Sequence, residues 1–196
     1  MSQKTINNGN GSEAQPVRQA GWGKIQIYTG NGKGKTTAAL GTALRALAQG
    51  KKVVFVYFDK GGEHYSEEAI LKKLEVEHYR TGLDRIDPET GKFRFGVTPE
   101  DIAEGEKGLV KAKELLERGD LDVLVLDEVC ISTHLGILKE ENVLELLKSK
   151  PQKLELILTG RDAPQSFEEL ADLVTQMDIK KHYFYGGASA REGLDY

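Results

Sequence analysis

From Lys24 onward, short apolar runs alternate with amphipathic stretches, the sequence form of strands joined by crossover helices. Strands are predicted over 24–29, 53–58, 76–80, 122–128, 154–159 and 172–177. VVFVYF, VLVL and LELIL are nearly continuous apolar runs, as expected of strands covered on both faces. Helices are predicted over 35–49, 66–75, 99–118, 140–148 and 164–171, with Gly50 and Gly119 as C-terminal stops and Thr98-Pro99 as a start. On the helix through 100–118, Ile102, Leu109, Leu115 and Leu116 fall on the core side. A short further strand is predicted near 181–185. The pattern is that of an α/β protein with a mainly parallel sheet of about six strands.

Residues 1–21 are rich in Asn, Gly, Gln and Ser and read as a flexible polar tail before one domain over 22–196. With 39% hydrophobic and 30% charged residues, and no apolar run near membrane-spanning length, the chain reads as soluble, without a membrane partner. No export pattern marks the N-terminus and Cys130 is the sole cysteine, so a cytoplasmic protein without intrachain disulfides is expected. The net charge of −4, with Lys and Arg scattered among acids, argues against a nucleic-acid partner. Any anion must be held locally.

The place for it is Gly30 to Thr37, reading GNGKGKTT, between a β-branched strand and an Ala-rich helix. Gly30, Gly32 and Gly34 let the backbone turn tightly and aim N–H groups at one anion, while the helix start directs its positive dipole end there. Lys35 adds a point charge for the phosphates and Thr36 a hydroxyl for Mg²⁺. The common pattern G-x-x-x-x-G-K-[ST] would need Gly at Thr29, and the nearest, Gly30, comes one position late, so the loop is a shortened variant. A P-loop in this context places the α/β fold among P-loop NTPases, RecA-like, with three α/β/α layers.

Two other strand ends carry chemistry. DVLVLDE ends in Asp127-Glu128, carboxylates at the sheet edge where open α/β folds place ligands and able to hold Mg²⁺ directly or through water. Thr159-Gly160-Arg161 follows another buried strand and offers a guanidinium for phosphate. His64, His78, His134 and His182 show no metal-ligand spacing, and Cys130 has no His at a suggestive spacing, so none is given a role. The segment 81–98, TGLDRIDPETGKFRFGVT, is long for a connection, and long loops usually have a functional reason.

Together, TGNGKGKTTAALG at 29–41, LDE at 126–128, TGR at 159–161, Lys181 to Phe184 and the terminal GLDY resemble the P-loop ATP:corrinoid adenosyltransferases. The resemblance covers about residues 22–196. It implies that a reduced Co(I) corrinoid attacks C5′ of ATP and that inorganic triphosphate leaves. It implies nucleotide contacts from Gly30, Asn31, Gly32, Lys33, Gly34, Lys35, Thr36, Thr37 and Arg161, Asn31 touching either phosphate or ribose, with Mg²⁺ on Thr36 and Glu128, and Lys35 and Glu128 as the catalytic pair. A homodimer and an electron-donating reductase as partner are implied as well.

The corrinoid half departs from the family pattern. Thr81-Gly82 is present, but Leu83 and Arg85 stand near where the family carries a Phe and a Trp, and Asp59 replaces an apolar residue before Lys60-Gly61. Phe93 and Phe95 either serve the corrinoid from the inserted loop or pack on the protein. Two other readings of the nucleotide loop stand beside the transferase: a phosphohydrolase or kinase in which Glu128 orients the attacking group, and an ATP-binding sensor.

Overall fold

The computed structural model describes residues 23–62, 65–87 and 89–195. Six strands, β1 (Ile25–Thr29), β2 (Val53–Tyr57), β3 (Glu77–Arg80), β4 (Val123–Asp127), β5 (Glu155–Thr159) and β6 (Leu173–Gln176), form one sheet in the order β3-β2-β4-β5-β1-β6. Every pairing is parallel. The helices are α1 (Lys35–Leu47), α2 (Glu67–Lys73), α3 (Pro99–Arg118), α4 (Val129–His134), α5 (Glu140–Ser149) and α6 (Gln165–Leu170). The expected α/β class and its six-stranded parallel sheet are therefore found.

Alternate strand residues enter opposite layers, as the period of two requires. Val54, Val56, Leu124, Leu126, Leu156 and Leu158 pack with Leu109, Leu115 and Leu116 of α3, Val143 and Leu146 of α5, and Phe167 of α6. Phe55, Tyr57, Val123, Val125 and Ile157 pack on the other face with Ala39 and Ala43 of α1 and Leu71 of α2. The strands β2 and β4 are buried at every position, which explains their unbroken apolar runs. On the edge strand β6, Leu173 and Val174 remain exposed.

Four expectations change. Residues 181–185 do not form a strand: Tyr183–Gly186 is a 3-10 turn, closed by Gly187 at φ 87°. Helix α4 was not anticipated, since its six residues are too few to show a helical period. Ile102 lies in the first turn of α3, beyond the edge of the core, and is 38% exposed. Helix α1 ends at Leu47, short of the expected 49, with Ala48 as its cap and Gly50 beyond it at φ 70°. The expected tail over 1–21, His64 and the terminal Tyr196 lie outside the described residues.

Helix α3 starts as the sequence reading expects. The Thr98 hydroxyl accepts from the Asp101 N–H at 3.3 Å, and the Asp101 carboxylate accepts from the Thr98 N–H at 2.8 Å. Asp101, 1% exposed, also accepts two bonds from the Arg94 guanidinium at 2.7 and 2.9 Å. These partners, Arg94 foremost, hold its carboxyl far below the usual carboxylate range. The folded protein thus keeps Asp101 ionised, and its stabilising contribution is complete above the ordinary carboxyl pKa and lost as pH falls toward the depressed value. Asp101→Asn should lower stability by about 2 kcal/mol near neutrality, the size of a lost cap with a charged partner. Urea unfolding from pH 7 down to pH 2 should show the gap between variant and parent narrowing below about pH 4.

Candidate active site

The carboxyl ends of β1, β2, β4 and β5 open onto one cleft of about 1800 Å³. It is lined by residues 31–37 of the Gly-rich loop, by Asp59, Lys60, Glu128 and Arg161 at the other strand ends, and by Leu83, Arg85 and Phe93 of the long connection. A drug-sized ligand needs about 300–1,000 Å³, so the cleft has room for a nucleotide and a larger second molecule. Three of these strand ends hold a non-glycine residue at positive φ: Asp59 at 50°, Glu128 at 60° and Asp162 at 51°. Such conformations cost of order 1–3 kcal/mol each and collect where function fixes the backbone.

The loop begins at Gly30, φ 94°, and ends at Gly34, φ 116°, which caps α1 in the left-handed conformation. Gly30 stands behind the cavity wall, not in it, where a Cβ would meet the Met177 carbonyl oxygen at 2.5 Å. Gly32 is held from behind as well, its N–H donating to the Met177 carbonyl at 2.6 Å. This amide, expected to face phosphate, instead ties the shortened loop to the end of β6. The Lys35 ammonium spans the loop, donating to the carbonyls of Gly30 and Gly32, both at 2.8 Å. Burial lowers its pKa, and Arg161 adds to that while Glu128 opposes it. Lys33 turns outward to Asp195, to the Tyr183 hydroxyl at 3.1 Å and to the Leu194 carbonyl at 2.5 Å. It thereby joins the loop to the C-terminal segment.

Asp127 is fully buried at the end of β4. One carboxylate oxygen accepts from the Thr159 hydroxyl at 2.6 Å; the other accepts from the Thr36 hydroxyl at 3.3 Å and from the Lys60 ammonium at 2.6 Å. Glu128 follows at the cleft, its N–H donating to the Thr159 hydroxyl at 2.9 Å. Burial, reinforced by the neighbouring Asp127 charge, raises the Glu128 pKa. Lys60 also donates to Glu67 at 3.1 Å and lies over the rings of Tyr57 and Tyr65. Burial disfavours its charge, yet Asp127, Glu67 and Glu128 outweigh that and hold its pKa above the ordinary value.

Of the residues expected at the site, Asn31, Gly32, Lys33, Gly34, Lys35, Thr36, Thr37, Glu128 and Arg161 line the cleft together. Sequence reasoning gave Lys60 no role and read Asp127 only as one of two carboxylates able to hold Mg²⁺. A signal existed for Lys60, which leaves the apolar run of β2 two residues before Gly62, at the same sheet edge as the acid pair. In the connection, Arg85 is buried and donates to Asp59 at 2.8 Å and to the Gly96 carbonyl at 2.7 Å. The two departures from the family pattern, Asp59 and Arg85, are thus partners of each other. Phe93 and Phe95 meet edge to face at 5.1 Å, 52% and 85% exposed, and neither packs into the core. Cys130 is buried, which raises its thiol pKa and makes it inert.

A family model described as ATP:corrinoid adenosyltransferase BtuR/CobO/CobP matches residues 22–196. Three similar proteins bear the corresponding name. The corrinoid adenosyltransferase of Pseudomonas aeruginosa is 34% identical over 176 residues, covering 89% of this chain and 84% of its own. That of Escherichia coli K12 is 36% identical over 178 residues, covering 89% and 86%. Corrinoid adenosyltransferase CobA of Salmonella typhimurium is 37% identical over 174 residues, again covering 89% and 86%.

Proposed function

Because the chain belongs to the ATP:corrinoid adenosyltransferase family, we infer that its cleft brings ATP and a reduced corrinoid together for adenosyl transfer. The Co(I) electron pair attacks C5′ of the ribose, the Co–C bond forms, the C5′–O bond breaks and triphosphate departs with the bonding pair. The nucleophile carries no proton, so no general base is required and catalysis consists of positioning and of stabilising the leaving charge. Lys35, Arg161 and the start of α1 face the departing triphosphate; Lys33 reaches it if released from Asp195. The observation that carries this reading is the union, in one cleft, of a phosphate loop, the strand-end carboxylate of Glu128 and a wide compartment walled by Leu83, Phe93 and the 3-10 turn.

Mg²⁺ belongs to the same proposal. Thr36, Asp127 and Glu128 offer hard oxygen donors, and Thr36 and Asp127 are already in contact. Among the described residues there is no cluster of three or more His, Cys, Asp or Glu built to hold a metal alone. That suits Mg²⁺, which keeps several waters and is bound through one or two protein groups plus substrate phosphates. Thr36 and Glu128 would hold it, with Asp127 orienting Thr36; bound there, it would neutralise charge on the phosphate oxygens. The transfer consumes Co(I) without regenerating it, which supports an electron-donating reductase as partner. A homodimer would cover the apolar edge at Leu173 and Val174. A cytoplasmic enzyme accords with the lone Cys130; no helix among the described residues is long and apolar enough to cross a membrane.

Incubation with Mg-ATP and a chemically reduced corrinoid under anoxia should yield triphosphate and a new Co–C bond. ADP and phosphate as products would overturn the reading in favour of phosphoryl chemistry. Phe93→Ala should leave ATP affinity unchanged and raise the corrinoid KM about tenfold, the loss expected from one half-buried aromatic contact. Unchanged corrinoid kinetics in that variant would remove the loop from the substrate site.

A further inference from the structure

We propose that the Lys60 ammonium is the resident counter-ion of the metal position, held there until Mg-ATP displaces it, so that divalent metal enters only together with nucleotide. The inference rests on the magnesium reading above and concerns what the chain does before ATP arrives.

Thr159 already occupies one oxygen of Asp127, so the other is the carboxylate oxygen left to face the loop. That oxygen is shared by the Thr36 hydroxyl and the Lys60 ammonium. Lys60 also donates to the Thr36 hydroxyl oxygen at 3.5 Å, on the lone pairs a metal would use. A divalent ion on Thr36 would therefore compete for the same oxygen and stand beside a buried positive charge, where the repulsion is far stronger than in water. The ammonium is well suited to holding this place: its side chain is 9% exposed, Glu67 accepts from it and two aromatic rings flank it.

The main chain beneath Lys60 has little freedom. Its N–H donates to the Thr81 carbonyl at 3.1 Å, Asp59 before it sits at φ 50°, and a Cβ on Gly61 after it would meet the Leu83 carbonyl carbon at 2.2 Å. Exchange between the metal-excluding and metal-bound arrangements is thus a movement of one side chain. The triphosphate provides the reason to move, since its oxygens give the ammonium new charge-assisted acceptors as the metal takes Thr36. Without nucleotide, Asp127 stays neutralised and the site is closed to unproductive metal.

Mn²⁺ binding followed by electron paramagnetic resonance tests this directly. The parent protein should form a ternary complex with Mn²⁺ and ATP but bind Mn²⁺ alone at least about a hundredfold more weakly, given the like charge in the metal's place. Lys60→Met should bind Mn²⁺ without ATP at least about tenfold more tightly than the parent, because three carboxylates lose their cation. Lys60→Arg, which keeps the charge, should stay closed to Mn²⁺ alone. Equal Mn²⁺ affinity of the parent with and without ATP would overturn the proposal, and this arm needs no variant to fold. So would a Lys60→Met protein that binds Mn²⁺ alone no better than the parent while the ternary complex still forms. Absence of the parent's ternary complex would overturn the magnesium reading itself, and the inference with it.

Discussion

Lys35→Ala is expected to abolish measurable ATP binding and to lower kcat/KM for adenosyl transfer by about 10³-fold or more, the scale seen when a charged group aimed at a leaving anion is removed. The ammonium lies within the loop proposed to hold the triphosphate, bound meanwhile to the Gly30 and Gly32 carbonyls. Those carbonyls are weaker partners than phosphate oxygens, so the same side chain can hold the empty loop and then serve the bound nucleotide. Its removal therefore has two effects, and Lys35→Arg separates them. Arginine keeps the charge but not the compact ammonium that fits between two carbonyls, so it should recover part of the ATP affinity while leaving the loop disturbed. Calorimetric titration with ATP and anoxic turnover measure both. An alanine variant that binds ATP within threefold of the parent would refute the assignment.

The nucleotide half of this site was legible because its signals are local. Three glycines and two lysines between a β-branched strand and an Ala-rich helix have few other uses, and Asp127-Glu128 at the end of an apolar run reads as a sheet-edge acid pair. What the sequence did not reveal depends on strand order. Lys60 and Asp127 lie far apart in the chain and meet because β2 and β4 are neighbours, with Tyr57 opposite Asp127 in the register. The bond from the Gly32 amide to Met177 likewise follows from β6 lying beside β1. Short elements failed for a different reason. The aromatic run at 183–185 has the composition of a strand, but it is not one of the six strands of the sheet and closes on itself as a 3-10 turn. Arg85 and Asp59 each read as a departure from a family pattern, and only the fold shows that they form one ion pair.

Asp127→Asn should be the most destabilising change at the site, by about 3–5 kcal/mol, because it leaves the buried Lys60 ammonium without its nearest counter-charge. Glu67 remains at 3.1 Å, but its carboxylate is partly exposed and cannot replace a fully buried one at 2.6 Å. The asparagine keeps the acceptor for Thr159 or Thr36 and loses the charge, so geometry changes little and electrostatics a great deal. If the loss is electrostatic, removing the stranded cation should relieve it. The double variant Asp127→Asn with Lys60→Met should be more stable than Asp127→Asn alone by about 2 kcal/mol or more, a coupling typical of contacting groups in one network. Urea unfolding of the parent, both single variants and the double variant completes the cycle. A double variant no more stable than the single would show that Asp127 acts through packing and its hydroxyl partners, and that Lys60 has no part in holding it. Restored stability would not restore activity: the double variant lacks both the carboxylate that orients Thr36 and the ammonium, and should remain at least about a hundredfold below the parent in turnover, as expected when preorganised charge is lost from a site that works by positioning.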